Sequence, residues 1–162
     1  MTVFDFSERD SVYVPIYFKP LNTQTMLPFR FKIDTGADSS TISKEDLQDL
    51  GYSIKEINEG IIQRGLVTLA NNTTIEAGTI QIPLINILSY ECKQWPFTII
   101  VEEGKDFKNL LGRDLLAGFN YTFNNDEKKF KIEKSKTFSY FGRRFAGQLI
   151  NELEQQLSKA SS

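Results

Sequence analysis

Apolar residues recur with a period of two along much of this chain, and that pattern constrains its fold more than any other feature. Val12, Val14, Ile16 and Phe18 alternate with other residues, as do Phe29, Phe31 and Ile33 further on. Successive side chains of a β-strand point to opposite faces, so this period is typical of strands. The segments predicted as strands are residues 12–18, 29–33, 66–70, 74–82, 84–88 and 95–101.

Turn-forming residues join several of these strands into predicted hairpins. Polar residues 22–25 connect the first two strands, and Asn71-Asn72-Thr73 connects segments 66–70 and 74–82. A third hairpin is predicted around residues 124–128, where Tyr121 and Phe123 pair by pattern with Phe130 and Ile132. The chain is therefore predicted to be mostly β.

Helical signals are confined to short stretches and to the C-terminal tail. Ser43 is a predicted N-cap with Asp46 three residues on, and Gly51 is a predicted helix stop. In the tail, five apolar residues fall on one helical face: Ala146, Leu149, Ile150, Leu153 and Leu157. We therefore predict a folded domain over residues 1–137 and an amphipathic helix within 138–162. That helix is expected to pack on the body or on a partner subunit.

Composition excludes several classes of chemistry. The 162 residues include no histidine, which removes Ser-His and Cys-His nucleophile systems and most catalytic zinc sites. Cys92 is the single cysteine, so no internal disulfide can form. The formal charge of −2 argues against binding to nucleic acid through phosphate neutralisation. No metal or cofactor is expected.

The same composition gives expectations about location. No apolar run approaches the roughly 18 residues of a membrane span. The N-terminal segment lacks a basic start followed by an apolar stretch, so no signal peptide is predicted. A cytoplasmic protein without membrane contact is the expectation.

Two motifs carry the candidate chemistry. Asp34-Thr35-Gly36-Ala37-Asp38 follows directly on the predicted strand 29–33 and is itself followed by small or hydroxylated residues. Leu110-Leu111-Gly112-Arg113-Asp114 lies far downstream and is predicted to be a strand end that runs into a short helix. The glycine there would let one chain segment pass close to another backbone.

With this pair of motifs, the sequence resembles the retropepsins, the single-domain aspartic proteases of retroviral type, and their bacterial relatives. The resemblance covers residues 10–133 and implies a closed-barrel protomer with short helices. It implies that Asp34 is the catalytic carboxylate. One carboxylate cannot both deprotonate water and protonate the scissile carbonyl, so a second Asp34 must come from another copy of the chain. The implied function is an aspartic endopeptidase that acts as a homodimer on peptide or protein substrates.

The resemblance also implies roles for the neighbouring residues. Thr35, Gly36, Gly112 and Arg113 would support the active-site loop, with Arg113 in an ion pair that could involve Asp38. Segment 66–80 would be a flap that closes over an extended peptide. The implied substrate-binding residues are Gly36, Ala37, Asp38, Leu69, Ala70, Asn71 and Asn72.

Some features depart from the family pattern, and other interpretations stay open. The flap tip, Asn71-Asn72-Thr73, is not rich in glycine, and Asp114 stands where viral members usually have Asn. A non-catalytic peptide-binding or scaffold module would keep the same fold, as would a regulatory domain that depends on a partner chain. Asp34 would then be only a turn residue. Asp38 could likewise serve only in a turn.

Overall fold

The period of two is realised as nine strands in the computed structural model, which describes residues 1–136. Three short helices interrupt them, and within the described residues no helix has the length and apolarity needed to cross a membrane. The strands are β1 (Thr2–Asp5), β2 (Tyr13–Phe18), β3 (Leu27–Ile33), β4 (Ile62–Thr68), β5 (Thr74–Ile87), β6 (Tyr90–Ile100), β7 (Leu110–Leu111), β8 (Phe119–Asn124) and β9 (Lys129–Lys134). The helices are α1 (Lys44–Asp49), α2 (Ile54–Gly60) and α3 (Arg113–Leu116).

The long strand β5 organises the larger sheet. One edge of β5 pairs with β6 from Ala77 to Ile87, and its other edge pairs first with β4 and then with β2. Five strands of this six-stranded sheet follow the order β4-β5-β2-β3-β7, and the sixth, β6, pairs with β5. All its pairings are antiparallel except β3 with β7, which is parallel. That exception places the end of β7 beside the end of β3.

A second, three-stranded sheet has the order β1-β9-β8. The predicted pairs are confirmed here, because Tyr121 lies opposite Ile132 and Phe123 lies opposite Phe130. Strand β1 was not predicted from the sequence. It is four residues long, and it pairs with β9 at the far end of the described chain.

The prediction of a separate strand over residues 84–88 is wrong. Strand β5 continues through Pro83, and its register with β6 is the same on both sides of that residue. Pro83 lacks the N–H that a ladder bond requires, and Gln94 opposite it has a left-handed backbone with a φ of 53°. The turn between β5 and β6 is Leu88-Ser89, and both residues have positive φ. Asn or Gly usually occupies such positions, so the sequence of this hairpin gave no turn signal.

The predicted N-cap of α1 is confirmed, but the return hydrogen bond of a capping box, from the Ser43 N–H to the Asp46 side chain, is absent. The Asp46 N–H donates to Ser43 Oγ, while the Ser43 N–H donates to Asn109 and not to Asp46. The Asn109 amide in turn donates to the Asp46 carboxylate. Leu47 and Leu50 are buried as predicted, and Gly51 has a φ of 98°.

Helix α2 was missed from the sequence, although its start carries a complete capping box. Ser53 and Glu56 exchange hydrogen bonds between side chain and backbone at its first turn. A Ser followed three residues later by Glu is a recognised N-terminal signal. The helix buries Ile57.

Aromatic rings fill the centre of the larger sheet. Phe18, Phe31 and Phe97 are fully buried, with ring centroids 5.6–5.9 Å apart. Cys92 is also buried in this core, and loss of hydration raises the pKa of its thiol to about 11. The mostly-β class with short helices is therefore confirmed. Closure into a barrel stays a prediction, and the predicted tail helix within 138–162 lies outside the described residues.

Candidate active site

The parallel pairing of β3 with β7 brings the two sequence motifs together. Ile33 is the register partner of Leu111, and the Asp34 N–H donates to the Leu111 carbonyl at 3.0 Å. Asp34 is thus the first residue after β3, held by the neighbouring strand. The motifs that the sequence analysis paired across more than 70 residues are in backbone contact.

A tight turn fixes the Asp34 carboxylate. The Gly36 N–H donates to Asp34 Oδ1 at 3.0 Å, and the Ala37 N–H donates to the Asp34 carbonyl at 3.2 Å. Asp34 is half-buried, while Thr35 and Gly36 are exposed. The carboxylate therefore has a defined direction and remains open to a ligand.

Gly112 packs directly against the loop that follows Asp34. A Cβ placed on Gly112 would lie 2.6 Å from the Ser39 carbonyl oxygen and 2.9 Å from that of Ala37. Its φ of −94° is accessible to any residue, so the requirement for glycine is one of space. This is the close backbone approach that the sequence predicted for Gly112.

Ser40 and Asp114 form the buried support of this loop. Asp114 accepts hydrogen bonds from Ser40 Oγ at 2.6 Å and from the Ser40 N–H at 3.0 Å. Ser40 Oγ also accepts from the Gly112 N–H at 3.0 Å. Burial raises the pKa of the Asp114 carboxyl above its ordinary value, although the bonds from Ser40 and Leu115 oppose that shift. The sequence analysis assigned no role to this pair.

Arg113 meets Asp38 in the ion pair that the sequence suggested. Both side chains are largely exposed, and exposed ion pairs contribute little to stability. The backbone of Arg113 makes a separate contact, since its N–H donates to the Ala37 carbonyl at 2.9 Å. Arg113 therefore touches both ends of the segment Ala37–Asp38.

Segment 39–42 is tied to strands on both of its sides. The Thr41 N–H donates to the Leu110 carbonyl at 3.0 Å, and the Ile42 N–H donates to the Thr98 carbonyl at 3.1 Å. The hydroxyl groups of Ser39 and Thr98 lie 2.9 Å apart. The segment after Asp34 thus bridges β6 and β7 through backbone and hydroxyl contacts.

The hairpin of β4 and β5, here named the flap after its predicted role, stands across the cleft from Asp34. Its tip is closed by a bond from the Asn72 N–H to the Leu69 carbonyl at 3.0 Å. Asn71 Oδ1 accepts from the Thr73 N–H at 3.1 Å, and Asn72 takes a left-handed φ of 63°. Asparagine tolerates that conformation, so this tip is built without glycine.

A cleft of about 1310 Å³ lies between the flap and the Asp34 loop. Seven of the predicted site residues line it, namely Asp34, Gly36, Ala37, Asp38, Leu69, Ala70 and Asn71. Four others do not line it, namely Thr35, Asn72, Gly112 and Arg113. Cleft residues that the sequence analysis did not single out include Gln63, Val67, Thr98, Phe107 and Lys108. The strands that hold Val67 and Thr98 were predicted. That any of these five residues lines the cleft could not be predicted from one sequence.

The described residues contain no cluster of three or more His, Cys, Asp or Glu side chains that could hold a metal ion. What the site does contain is one oriented carboxylate, a hydrogen-bonded loop beneath it and a hairpin opposite. Such a site can bind an extended chain through backbone hydrogen bonds.

Comparison with protein families identifies the group. The family model described as "gag-polyprotein putative aspartyl protease" matches residues 22–117, which is more than half of the chain. The chain belongs to this aspartyl protease family. The matched span includes the Asp34 loop, the flap, Gly112 and α3. Strands β1 and β2 precede it, and β8 and β9 follow it.

A solved structure has the same fold as the protein described here. It is a retropepsin-like aspartic protease from Rickettsia conorii, with a TM-score of 0.57 and 21% sequence identity. The match covers 82% of this chain and 97% of that chain. Comparison with curated proteins gives no match. The resemblance to retropepsins and their bacterial relatives is thereby confirmed at the level of family and fold.

Proposed function

We propose that this protein is an aspartic endopeptidase in which two copies of the chain each contribute one Asp34. The observation that carries the proposal is the placement of Asp34 at the cleft, oriented by the Gly36 N–H and supported by β7. The sequence contains a single Asp-Thr-Gly. A two-fold axis beside the Asp34 loop would therefore supply the second carboxylate.

Two carboxylates at such short range share one proton, since both cannot easily be ionised together. The ionised member takes a proton from water, and the resulting oxygen nucleophile attacks the scissile carbonyl carbon. The protonated member donates its proton to the carbonyl oxygen. Collapse of the tetrahedral intermediate then breaks the C–N bond. The carboxyl that took the proton from water gives it to the departing amine, and the other, now ionised, carboxylate takes a proton from a hydroxyl of the intermediate, which restores the shared proton. No histidine takes part in any of these steps.

The cleft supports an extended peptide as the substrate. Its flap side carries backbone from β4 and from residues 69–71, and its floor carries Gly36 and Ala37. A peptide laid between them could add as a strand, with main-chain bonds giving affinity and pockets giving selectivity. The hydrogen-bonded loop beneath Asp34 would keep the two carboxylates in place during the reaction.

The test compares the wild type with Asp34→Asn and with Asp49→Asn, a matched change at an exposed position on α1. A peptide library is screened at mildly acidic and at neutral pH, and kcat is measured for each cleaved peptide. Asp34→Asn should lower kcat by at least about 10²-fold, because general acid–base catalysis contributes about 10²–10⁴. Asp49→Asn should leave kcat unchanged.

Cleavage by Asp34→Asn at the wild-type rate would overturn the proposed mechanism. A wild type that binds library peptides but cuts none of them would favour the non-catalytic peptide-binding module. Circular dichroism and solution mass of both variants check that fold and assembly are retained.

A further inference from the structure

Lys108 is an exposed cation on the wall of the cleft that also holds Asp34. Among residues 1–136, the charged ones that line this cleft are Asp34, Asp38 and Lys108. Arg113 neutralises Asp38 through their ion pair. Apart from the Asp34 carboxylate, Lys108 is therefore the unpaired charge that residues 1–136 of one chain present to a bound ligand.

The backbone that carries Lys108 is held in place. Thr41 Oγ1 donates to the Lys108 carbonyl at 2.6 Å and accepts from the Leu110 N–H at 3.1 Å. Two residues earlier, the Asp106 carboxylate accepts from the N–H groups of Lys44 and Glu45 at 2.8 and 3.2 Å. Lys108 therefore projects from an anchored segment, although that segment has no regular secondary structure before β7.

Three carboxylates, those of Asp106, Glu102 and Asp46, are committed to other partners. Asp106 caps α1, and Glu102 pairs with Lys105 at 2.9 Å and accepts from the Glu76 N–H at 3.2 Å. The Asp46 carboxylate accepts from Asn109. Within residues 1–136, no carboxylate forms a salt bridge with Lys108. Its ammonium group is left available to a ligand.

We propose that Lys108 is a specificity-determining residue that binds an acidic side chain of the substrate peptide. This inference rests on the proposed function, because it assigns one subsite of the same cleft. A Lys–carboxylate contact is a charge-assisted hydrogen bond, stronger than a neutral one. Water is partly displaced when a peptide fills the cleft, which strengthens the attraction further. Glu or Asp should therefore be favoured at the substrate positions that face Lys108, one for each copy in the proposed homodimer.

The experiment uses a cleaved peptide in which each position around the scissile bond is set in turn to Glu, Gln or Lys. For the wild type, kcat/KM at each position that faces a Lys108 should be about tenfold higher with Glu than with Gln, and lowest with Lys. Lys108→Met should bring the Glu-to-Gln ratio close to one, and Lys108→Glu should invert the preference in favour of Lys. Lys93→Glu, an exposed change on β6 away from the cleft, should keep the wild-type ratios.

A second arm separates this inference from the proposed function. The same labelled peptides are titrated against Asp34→Asn protein, with and without the Lys108→Glu change, and binding is followed by fluorescence anisotropy. A Glu preference in binding that inverts with Lys108→Glu supports the inference even if the wild type cuts nothing. Ratios that Lys108→Glu leaves unaltered in both assays overturn it, and cleavage would then still support the protease. Failure of every peptide to be bound or cut overturns both.

Discussion

The backbone of Gly112 runs within contact distance of two carbonyl oxygens of the Asp34 loop. Alanine at this position would place its Cβ 2.6 Å from the Ser39 oxygen, so loop and strand would have to separate. We expect Gly112→Ala to lower the free energy of unfolding by about 2–3 kcal/mol, in the upper range of overpacking costs. Urea denaturation measures this change.

Gly65 provides the matched control for that substitution. It lies in β4, and a Cβ there would meet no atom within 4 Å. Gly65→Ala should therefore change the free energy of unfolding by less than about 0.5 kcal/mol, as for an ordinary surface change. Equal costs for the two substitutions would show that space at Gly112 is not the reason for its glycine.

Asp114 makes the stability of the loop depend on pH. Its pKa is raised in the folded protein above the ordinary value of 3.8, chiefly by burial. The folded state therefore holds this proton to higher pH than the unfolded state does, and stability falls as pH rises through the folded pKa. The unfolding free energy of the wild type minus that of Asp114→Asn should decline as pH rises from about 4.

Denaturant titrations at several pH values give that difference, and other groups cancel because they are common to both proteins. A difference that grows with pH would mean that the hydrogen bonds from Ser40 and Leu115 outweigh the loss of hydration. At neutral pH, Asp114→Asn should itself cost stability. An amide has only one acceptor oxygen, so it leaves either the Ser40 or the Leu115 N–H unpaired.

At the scale of elements, helix α1 is capped from two directions. Ser43 caps it locally, and Asp106 reaches it from the loop before β7. We expect Asp106→Ala to lower the free energy of unfolding by about 1–2 kcal/mol, because two helix N–H groups lose a charged acceptor. Thermal and urea unfolding measure the loss.

Asp126→Ala, a change of an exposed carboxylate in the turn between β8 and β9, is the control for Asp106→Ala. It should leave stability nearly unchanged. If both variants unfold at the same urea concentration as the wild type, the contact between the loop and α1 is not a stabilising one.

Elements with local signals were predictable, and those with non-local causes were not. The hairpin of β4 and β5 has Asn71-Asn72 at its tip, and α1 has Ser43 and Gly51 at its ends. The turn Leu88-Ser89 carries no such signal, although both residues adopt positive φ. Strand β1 exists because β9 lies beside it, which no feature of its own four residues reveals.

At the scale of the whole molecule, the proposed chemistry requires two chains. Activity per mole of protein should rise with protein concentration until assembly is complete. Excess Asp34→Asn protein, equilibrated with the wild type, should reduce activity because mixed dimers hold only one Asp34. Activity that stays strictly proportional to wild-type concentration, and that ignores added Asp34→Asn, would contradict the shared site.

The sequence predicted the two motifs of the candidate site. It did not predict the contacts that support the Asp34 loop. Asp34 and Gly112 stand in short patterns that a single sequence displays. The bond between Ser40 and Asp114 depends on how β3, β7 and α3 pack, and the position of Lys108 at the cleft depends on the loop before β7. Such relations arise from tertiary packing, for which local patterns give no signal.

The joining of β3 to β7 also bears on when the activity can begin during synthesis. Ser40 and Asp114 are 74 positions apart, so a nascent chain emerges from the ribosome with its aspartate long before the groups that shape the surrounding turn. A half-made copy lacks the contacts of Leu111, Gly112 and Asp114 that support the Asp34 loop. In the proposed endopeptidase, cutting would therefore wait for the completed fold.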